Sequence, residues 1–203
     1  MRFPTPCVFC AAESADGICK KCAQDLERAC LYKRQSLPYL EAADTLFDYD
    51  APHVQKALFL LKRRGLRVLC KHAAPLLSSV AASMGRAFVC VTYVPRRRSM
   101  VCRTGVDQAK LLARAVAKGL GIPCVSLLRR HGISRRQHDL TREASVENVR
   151  GKFRKTTSLS GGEVLLVDDV ITTGATVSEC ARVLLQAGAG RVFVLAPVRG
   201  GWF

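Results

Sequence analysis

Apolar and polar positions change period several times along the chain, and each change predicts an element. "AFVCVTYV" (Ala87–Val94) and "VLLVDD" (Val164–Asp169) open on continuous apolar runs, which predicts buried strands. "RVFVLAPV" (Arg191–Val198) and the shorter "PCVSLL" (Pro123–Leu128) read the same way, and Thr45–Tyr49 offers a further strand. Helical spacing marks "VQKALFLLKRRG" (Val54–Gly65), "RVLCKHAAPLLSSVAASMG" (Arg67–Gly85, with a kink expected at Pro75), "VDQAKLLARAVAKGLG" (Val106–Gly121) and "ATVSECARVLLQAGAG" (Ala175–Gly190). The first ends in basic residues with Gly65 after them, and the third closes on Gly121. Strands alternating with helices predict an α/β fold: a parallel sheet flanked by helices on both faces. One stretch breaks the pattern. From Arg129 to about Asn148 there are five arginines, two histidines and no core period. A loop of that length inside a compact domain is usually functional. Lying between two predicted strands, it is expected to form a flexible lid over 129–148.

Charge sharpens the picture. The 203 residues carry a formal net charge of +16, and the stretch Arg96–Lys155 holds 16 Lys+Arg against 4 Asp+Glu, a net +12. Either this is a solvated basic surface or it is an electrostatic funnel for a phosphate-rich partner. No apolar run approaches the roughly 18 residues of a membrane span, and the opening "MRFPTPCVFC" has no apolar signal region. The expected location is the cytoplasm.

The ten cysteines divide into two groups. Cys7, Cys10, Cys19 and Cys22 form two CxxC knuckles that can deliver four thiolates to one tetrahedral Zn²⁺, a structural staple for a segment too small and polar to fold by burial. A redox CxxC would need a thioredoxin-like context that is absent. Cys30, Cys70, Cys90, Cys102, Cys124 and Cys180 lie mostly in apolar stretches and read as small hydrophobes. The expected organisation is a zinc-binding segment over 1–36 and a second domain over 37–203.

Asp168 and Asp169 fall at the carboxyl end of a predicted strand, where ligands of parallel sheets bind. Next comes "ITTGAT" (Ile171–Thr176), leading into a helix. Its backbone N–H groups and threonine hydroxyls can surround a phosphate, and the helix dipole favours negative charge. The carboxylates suit two adjacent hydroxyls, or Mg²⁺ held through water. A ribose 5-phosphate matches both halves. Neither a GxxxxGK[ST] loop nor a GxGxxG turn is present.

"VLLVDDVITTGATV" (Val164–Val177) resembles the phosphoribosyl-pyrophosphate (PRPP) motif of type I phosphoribosyltransferases. The wider chain is similar to the ComF family, whose members carry an N-terminal four-cysteine zinc segment. "LKRRG" (Leu61–Gly65), "YVPRRRSMVCRTGVDQAKLLARAVAKGLGIP" (Tyr93–Pro123), "SRRQ" (Ser134–Gln137) and "ENVRGKF" (Glu147–Phe153) resemble its further signatures. The resemblance implies a type I phosphoribosyltransferase-like sheet in which Asp168 and Asp169 bind the ribose hydroxyls and Thr172, Thr173, Gly174, Ala175 and Thr176 hold the 5-phosphate. Arg96, Arg97 and Arg98 would take the pyrophosphate, with Arg135, Arg136 and Gln137 on the lid and Mg²⁺ accompanying PRPP. Two departures stand out: the family's GFNQA is GVDQA here, at Val106 and Asp107, and Pro95 is followed by arginines without the usual histidine. Asp107 is also a fair N-cap.

The resemblance further implies a role in DNA uptake and natural transformation, acting on incoming single-stranded DNA with a helicase-like partner. Two alternatives stand beside it: a metabolic phosphoribosyltransferase with an unidentified acceptor, and a PRPP-sensing regulator without turnover. Five residues follow the last predicted strand. Any hood over an acceptor is therefore expected from the first ~50 residues or from the lid.

Overall fold

Strand β10 (Arg191–Arg199) is the centre around which the chain is wound. In the computed structural model, which describes residues 5–48, 52, 54–57, 59, 67–131 and 142–200, it pairs in parallel with β4 (Ala42–Asp48) on one side and β8 (Glu163–Val167) on the other. Beyond β8 lies β5 (Phe88–Tyr93), also parallel, and a two-residue strand, β9 (Val170–Ile171), extends the pairing of β10. The outer neighbour of β4 is β3 (Cys30–Gln35), which runs antiparallel and gives the order β3-β4-β10-β8-β5.

The apolar runs are continuous because both faces of the sheet are covered. Leu165, Val167 and Leu195 pack with Leu77, Leu112 and Val116 of helices α2 (Arg67–Ser83) and α4 (Gln108–Leu120). Val164, Leu166 and Val194 point the other way, against Val177, Cys180 and Leu184 of α6 (Ala175–Gln186). Side chains alternate between faces along a strand, so a strand buried on both sides shows no polar alternation. The two helices on the first face approach so closely that a Cβ on Gly119 would lie 2.5 Å from Ser78 Oγ. Pro75 lies inside α2, which continues past it to Ser83.

Several sequence expectations shift. The expected strand at Pro123–Leu128 reduces to one parallel bridge, Val91 with Cys124. The strand there is β6 (Leu128–Arg130), paired antiparallel with β7 (Phe153–Lys155) in a separate two-stranded sheet. The basic 129–148 segment therefore leaves and re-enters through a small hairpin-like pair rather than between two strands of the main sheet. Its described ends are strand β6 and helix α5 (Arg142–Val149); positions 132–141, with Arg135, Arg136, Gln137 and His138, lie outside the described residues. The helix expected from Val106 begins at Gln108, with the Asp107 side chain accepting from the Lys110 N–H at 3.2 Å. Ahead of it stands a short helix not anticipated from sequence, α3 (Arg98–Thr104), which ends on left-handed Gly105. Of the expected helix 54–65, positions 54–57 and 59 are described and are helical; "LKRRG" lies outside. Cys102 is exposed, unlike the buried Cys70, Cys90 and Cys180, so it is not one of the small core hydrophobes.

β3 was missed because an edge strand has no apolar alternation to read. Its anchorage is ionic. Arg34 donates through Nε and Nη2 to the two carboxylate oxygens of Asp44, both at 2.9 Å, and Asp44 is fully buried. Lys33 pairs with Asp48. Removing Arg34 would leave a buried carboxylate without its cation. Arg34→Ala is expected to lower stability in urea denaturation by roughly 2 kcal/mol, less than for a fully buried pair because the guanidinium is half exposed. Arg34→Lys should recover part of this.

Candidate functional site

The four N-terminal cysteines converge. A hairpin of β1 (Thr5–Pro6) and β2 (Glu13–Ser14) presents Cys7 and Cys10, while Cys19 caps helix α1 (Lys20–Arg28) and Cys22 lies in its first turn. Left-handed Gly17 turns the chain between them, donating its N–H to Ser14 Oγ at 3.0 Å. The four Sγ atoms lie within 4.8 Å of one another, and Cys10 and Cys19 are 3.6 Å apart. Four thiolates bonded at ~2.3 Å around one tetrahedral ion would sit ~3.8 Å apart, so this group can hold a metal ion. Burial works against the Cys7 thiolate, but the N–H groups of Cys19, Phe9 and Cys10 outweigh it and hold the thiol at about 6. Burial and the neighbouring sulfurs push Cys22 up. Phe9, Ile18, Cys7 and Cys22 join the same apolar cluster as α2 and the sheet, and Asp16 meets His72 of α2 at 3.3 Å. Between this segment, α2 and the ends of β4 and β10 lies an apolar cavity of about 360 Å³, with Ala73, Leu76 and Cys70 on its wall.

Asp168 and Asp169 follow β8 directly. The Asp168 side chain is buried and its Oδ1 accepts the N–H of Asp169 at 2.9 Å. Burial, reinforced by the Asp169 carboxylate, raises the Asp168 carboxyl well above the ordinary carboxylate range. Burial and then the Asp169 charge push the Cys70 thiol up to about 12.

The loop after β9 holds the other expected residues in sequence. Thr172 is exposed, Thr173 and Thr176 are half-buried, and Ala175 begins α6, its N–H directed to Thr173 Oγ1 at 3.3 Å. Gly174, the N-cap, has φ +78°, and a Cβ there would meet Leu37 at 2.7 Å. The left-handed backbone favours glycine at this point, and any Cβ would also displace the Leu37 methyls.

The arginine turn lies alongside because β5 and β8 are neighbours: the Val94 N–H donates to Val167 O at 3.0 Å, and Pro95 follows. Arg96 Nη2 approaches Asp169 Oδ2 at 3.9 Å. Arg96 lines a cavity of about 830 Å³, together with Lys110, Arg114, Arg129 and Arg130. Arg98 opens α3. Of the arginines expected at the pyrophosphate, Arg96 is on the cavity wall. Arg130, Lys110 and Arg114 were not singled out from sequence. Nothing in helical spacing or charge count separates a wall-lining arginine from a solvated one. The "ENVRGKF" stretch is tied to α6: the Gly151 N–H donates to Glu179 Oε1 at 2.8 Å, and Glu179 is held by Arg182, whose hydrogen bonds, against burial, lower the Glu179 carboxyl.

Residues 107–201 match the phosphoribosyl transferase domain family. A DNA utilization protein, YhgH, of Salmonella typhi is 37% identical over 93 residues, covering 45% of this chain and 41% of that protein. Competence protein F of Haemophilus influenzae is 31% identical over 101 residues, 48% of this chain and 44% of its own length. The matched stretch thus spans less than half of these curated relatives. Among solved structures, adenine phosphoribosyltransferase of Leishmania tarentolae superposes with a TM-score of 0.47 at 14% identity, over 83% of this chain and 94% of that one. Among the described residues, no helix is long and apolar enough to cross a membrane.

A raised carboxyl makes stability depend on pH. Above the ordinary carboxylate range the folded chain keeps the Asp168 proton that the unfolded chain has lost, so stability falls as pH rises until the folded group ionises. Asp168→Asn keeps the acceptor for the Asp169 N–H and removes this titration. As pH rises above the ordinary carboxylate range, wild type is expected to lose more stability than the variant in thermal unfolding.

Proposed function

We propose that this ComF-family, phosphoribosyltransferase-like chain binds PRPP across β8, β9 and the start of α6, and acts on single-stranded DNA during DNA uptake. The observation that carries the reading is the succession of acid pair, with Asp168 buried, threonine loop and helix N-terminus beside a basic cavity. Asp168 and Asp169 accept from the ribose hydroxyls. The hydroxyls and N–H groups of Thr172–Thr176 hold the 5-phosphate. The Arg96–Arg98 turn meets the pyrophosphate, and Arg135, Arg136 and Gln137 belong to the segment that covers it. The two carboxylates are hard oxygen donors of the kind Mg²⁺ takes; bound with PRPP, the ion supplies charge neutralisation for the leaving pyrophosphate. The names of the relatives favour DNA as the larger partner, the net +12 of the central stretch supplies the electrostatics for it, and a helicase-like protein is the expected companion. The setting is the cytoplasm.

A second reading, a transferase with a small acceptor, is favoured by the apolar cavity against Cys70. It has the character of a site for a planar, largely uncharged ring, and its walls come partly from the four-cysteine segment. In either case that segment holds structural Zn²⁺ through Cys7, Cys10, Cys19 and Cys22.

Calorimetric titration with PRPP, with and without an oligodeoxythymidine, tests the first reading. Asp168→Ala with Asp169→Ala is expected to weaken PRPP binding at least about 100-fold, given several charge-assisted hydrogen bonds lost together. Retained affinity would remove the site assignment. DNA binding should fall steeply with salt, and absent or salt-independent binding would remove the DNA role. PRPP-dependent pyrophosphate release with a panel of bases would move the balance to the second reading. Metal analysis should find about one zinc per chain. Cys10→Ser with Cys19→Ser should lose it and lower the melting temperature, whereas a metal-free wild type that is fully folded would exclude the staple.

A further inference from the structure

We propose that the outward face of the β6–β7 ribbon, carrying Arg129, Arg154 and Lys152, is a track for the phosphodiester backbone of single-stranded DNA. The proposal rests on the DNA reading above and gives it a place, on a surface outside the PRPP motif and the arginine turn. The ribbon is longer than its two strands. Leu128 pairs with Lys155, Arg129 with Arg154 and Arg130 with Phe153. Beyond them the His131 N–H donates to Lys152 O at 2.7 Å and the Thr156 N–H to Leu127 O at 3.0 Å, which continues the same register at both ends. Side chains alternate between the two faces. Leu128 and Phe153 are buried against the α6 side, and the Arg130 guanidinium lies over the Phe153 ring at 5.3 Å. On the opposite face Arg129 stands directly across from Arg154, and His131 across from Lys152. Arg129, Arg154 and His131 are exposed, and Lys152 is half-buried.

Like charges directly opposite one another destabilise a ladder. Elsewhere in the fold such cations are neutralised: Arg34 by Asp44, Lys33 by Asp48, Arg182 by Glu179, and Arg86 and Arg191 by Glu163. Among the described residues Arg129, Arg154 and Lys152 enter no ion pair, and Lys152 donates to the neutral Asn148 Oδ1 at 2.7 Å. The row is also held in place. Leu128 and Phe153 fix the ribbon to the core, and the Gly151 N–H on Glu179 fixes the entry to β7. An uncompensated row of cations on an anchored element is complementary to a polyanion. Successive pairs on one face are two residues apart, about 7 Å along the ribbon, so they meet successive phosphates of an extended strand. His131 adds charge when protonated. This face has no amide or hydroxyl side chain for a base edge, so the contact is with the backbone and independent of sequence. Arg129 and His131 also border the basic cavity, whereas Arg154 and Lys152 stand outside its lining. The ribbon therefore extends the positive surface away from the small-ligand site.

Fluorescence anisotropy with a labelled oligodeoxythymidine, titrated over a range of salt, tests this on the full chain. Arg154→Gln and Lys152→Gln should each reduce the slope of log affinity against log salt by about 0.7, the share of one single-strand phosphate contact. The double variant should bind roughly 10-fold more weakly, and equally so for a mixed sequence of the same length. Its affinity for PRPP should be unchanged, and its melting temperature should hold or rise because repulsion across the ladder is relieved. Unchanged salt slopes in both variants would overturn the track. So would a matching loss of PRPP affinity, a loss confined to one sequence, or a loss seen only on vesicles of anionic phospholipid. If wild type bound the oligonucleotide and the variants bound it equally well, the ribbon would fall and the DNA reading would stand. If wild type bound no oligonucleotide at any salt, the DNA reading itself would fall, and the track with it.

Discussion

The buried Asp168 carboxyl is the constraint around which the site is arranged. A carboxylate following the buried apolar run Val164–Val167, with a second one after it, resists ionisation. The fold retains it only because the rest of the sheet is so thoroughly buried. Val164 through Val167 and Val192 through Ala196 are inaccessible on both faces. That central pair of strands supplies the stability from which a poorly placed acid subtracts. The same acid is what a diol or a hydrated cation would relieve, so the local destabilisation and the binding capacity have one origin.

The cations of the basic cavity reach it from two directions. Arg96 comes from the turn after β5 and approaches Asp169. Arg130 comes from β6, stacked on Phe153. The high net charge thus resolves into a few oriented groups on one cavity and a larger number of solvated ones.

Much of this was legible in the sequence because it depends on local order. The strand, acid pair, threonine loop and helix are consecutive, and each follows from neighbours a few residues away. The four cysteines were equally readable, since two knuckles and a glycine turn encode their own convergence. What escaped depended on partners distant in the chain. β3 looks like a polar connector, and it becomes a strand through Asp44 and Asp48. The apolar "PCVSLL" satisfies its hydrophobic side chains without joining the main sheet beyond one bridge; Leu127 and Leu128 are buried against the α6 side instead. Arg98–Thr104 has no apolar period and takes its end from left-handed Gly105. Arg130 stands in an arginine-rich stretch, and only Phe153 distinguishes it from its neighbours.

The passage from the cysteine segment into the sheet has a mechanical consequence. Helix α1 ends at Arg28 and β3 begins at Cys30, leaving Ala29 as the whole connection. A link of one residue leaves only its own φ and ψ to set the angle between helix and strand. The sulfur cluster is therefore coupled closely to the sheet edge, and the Asp16–His72 contact ties it to α2 as well.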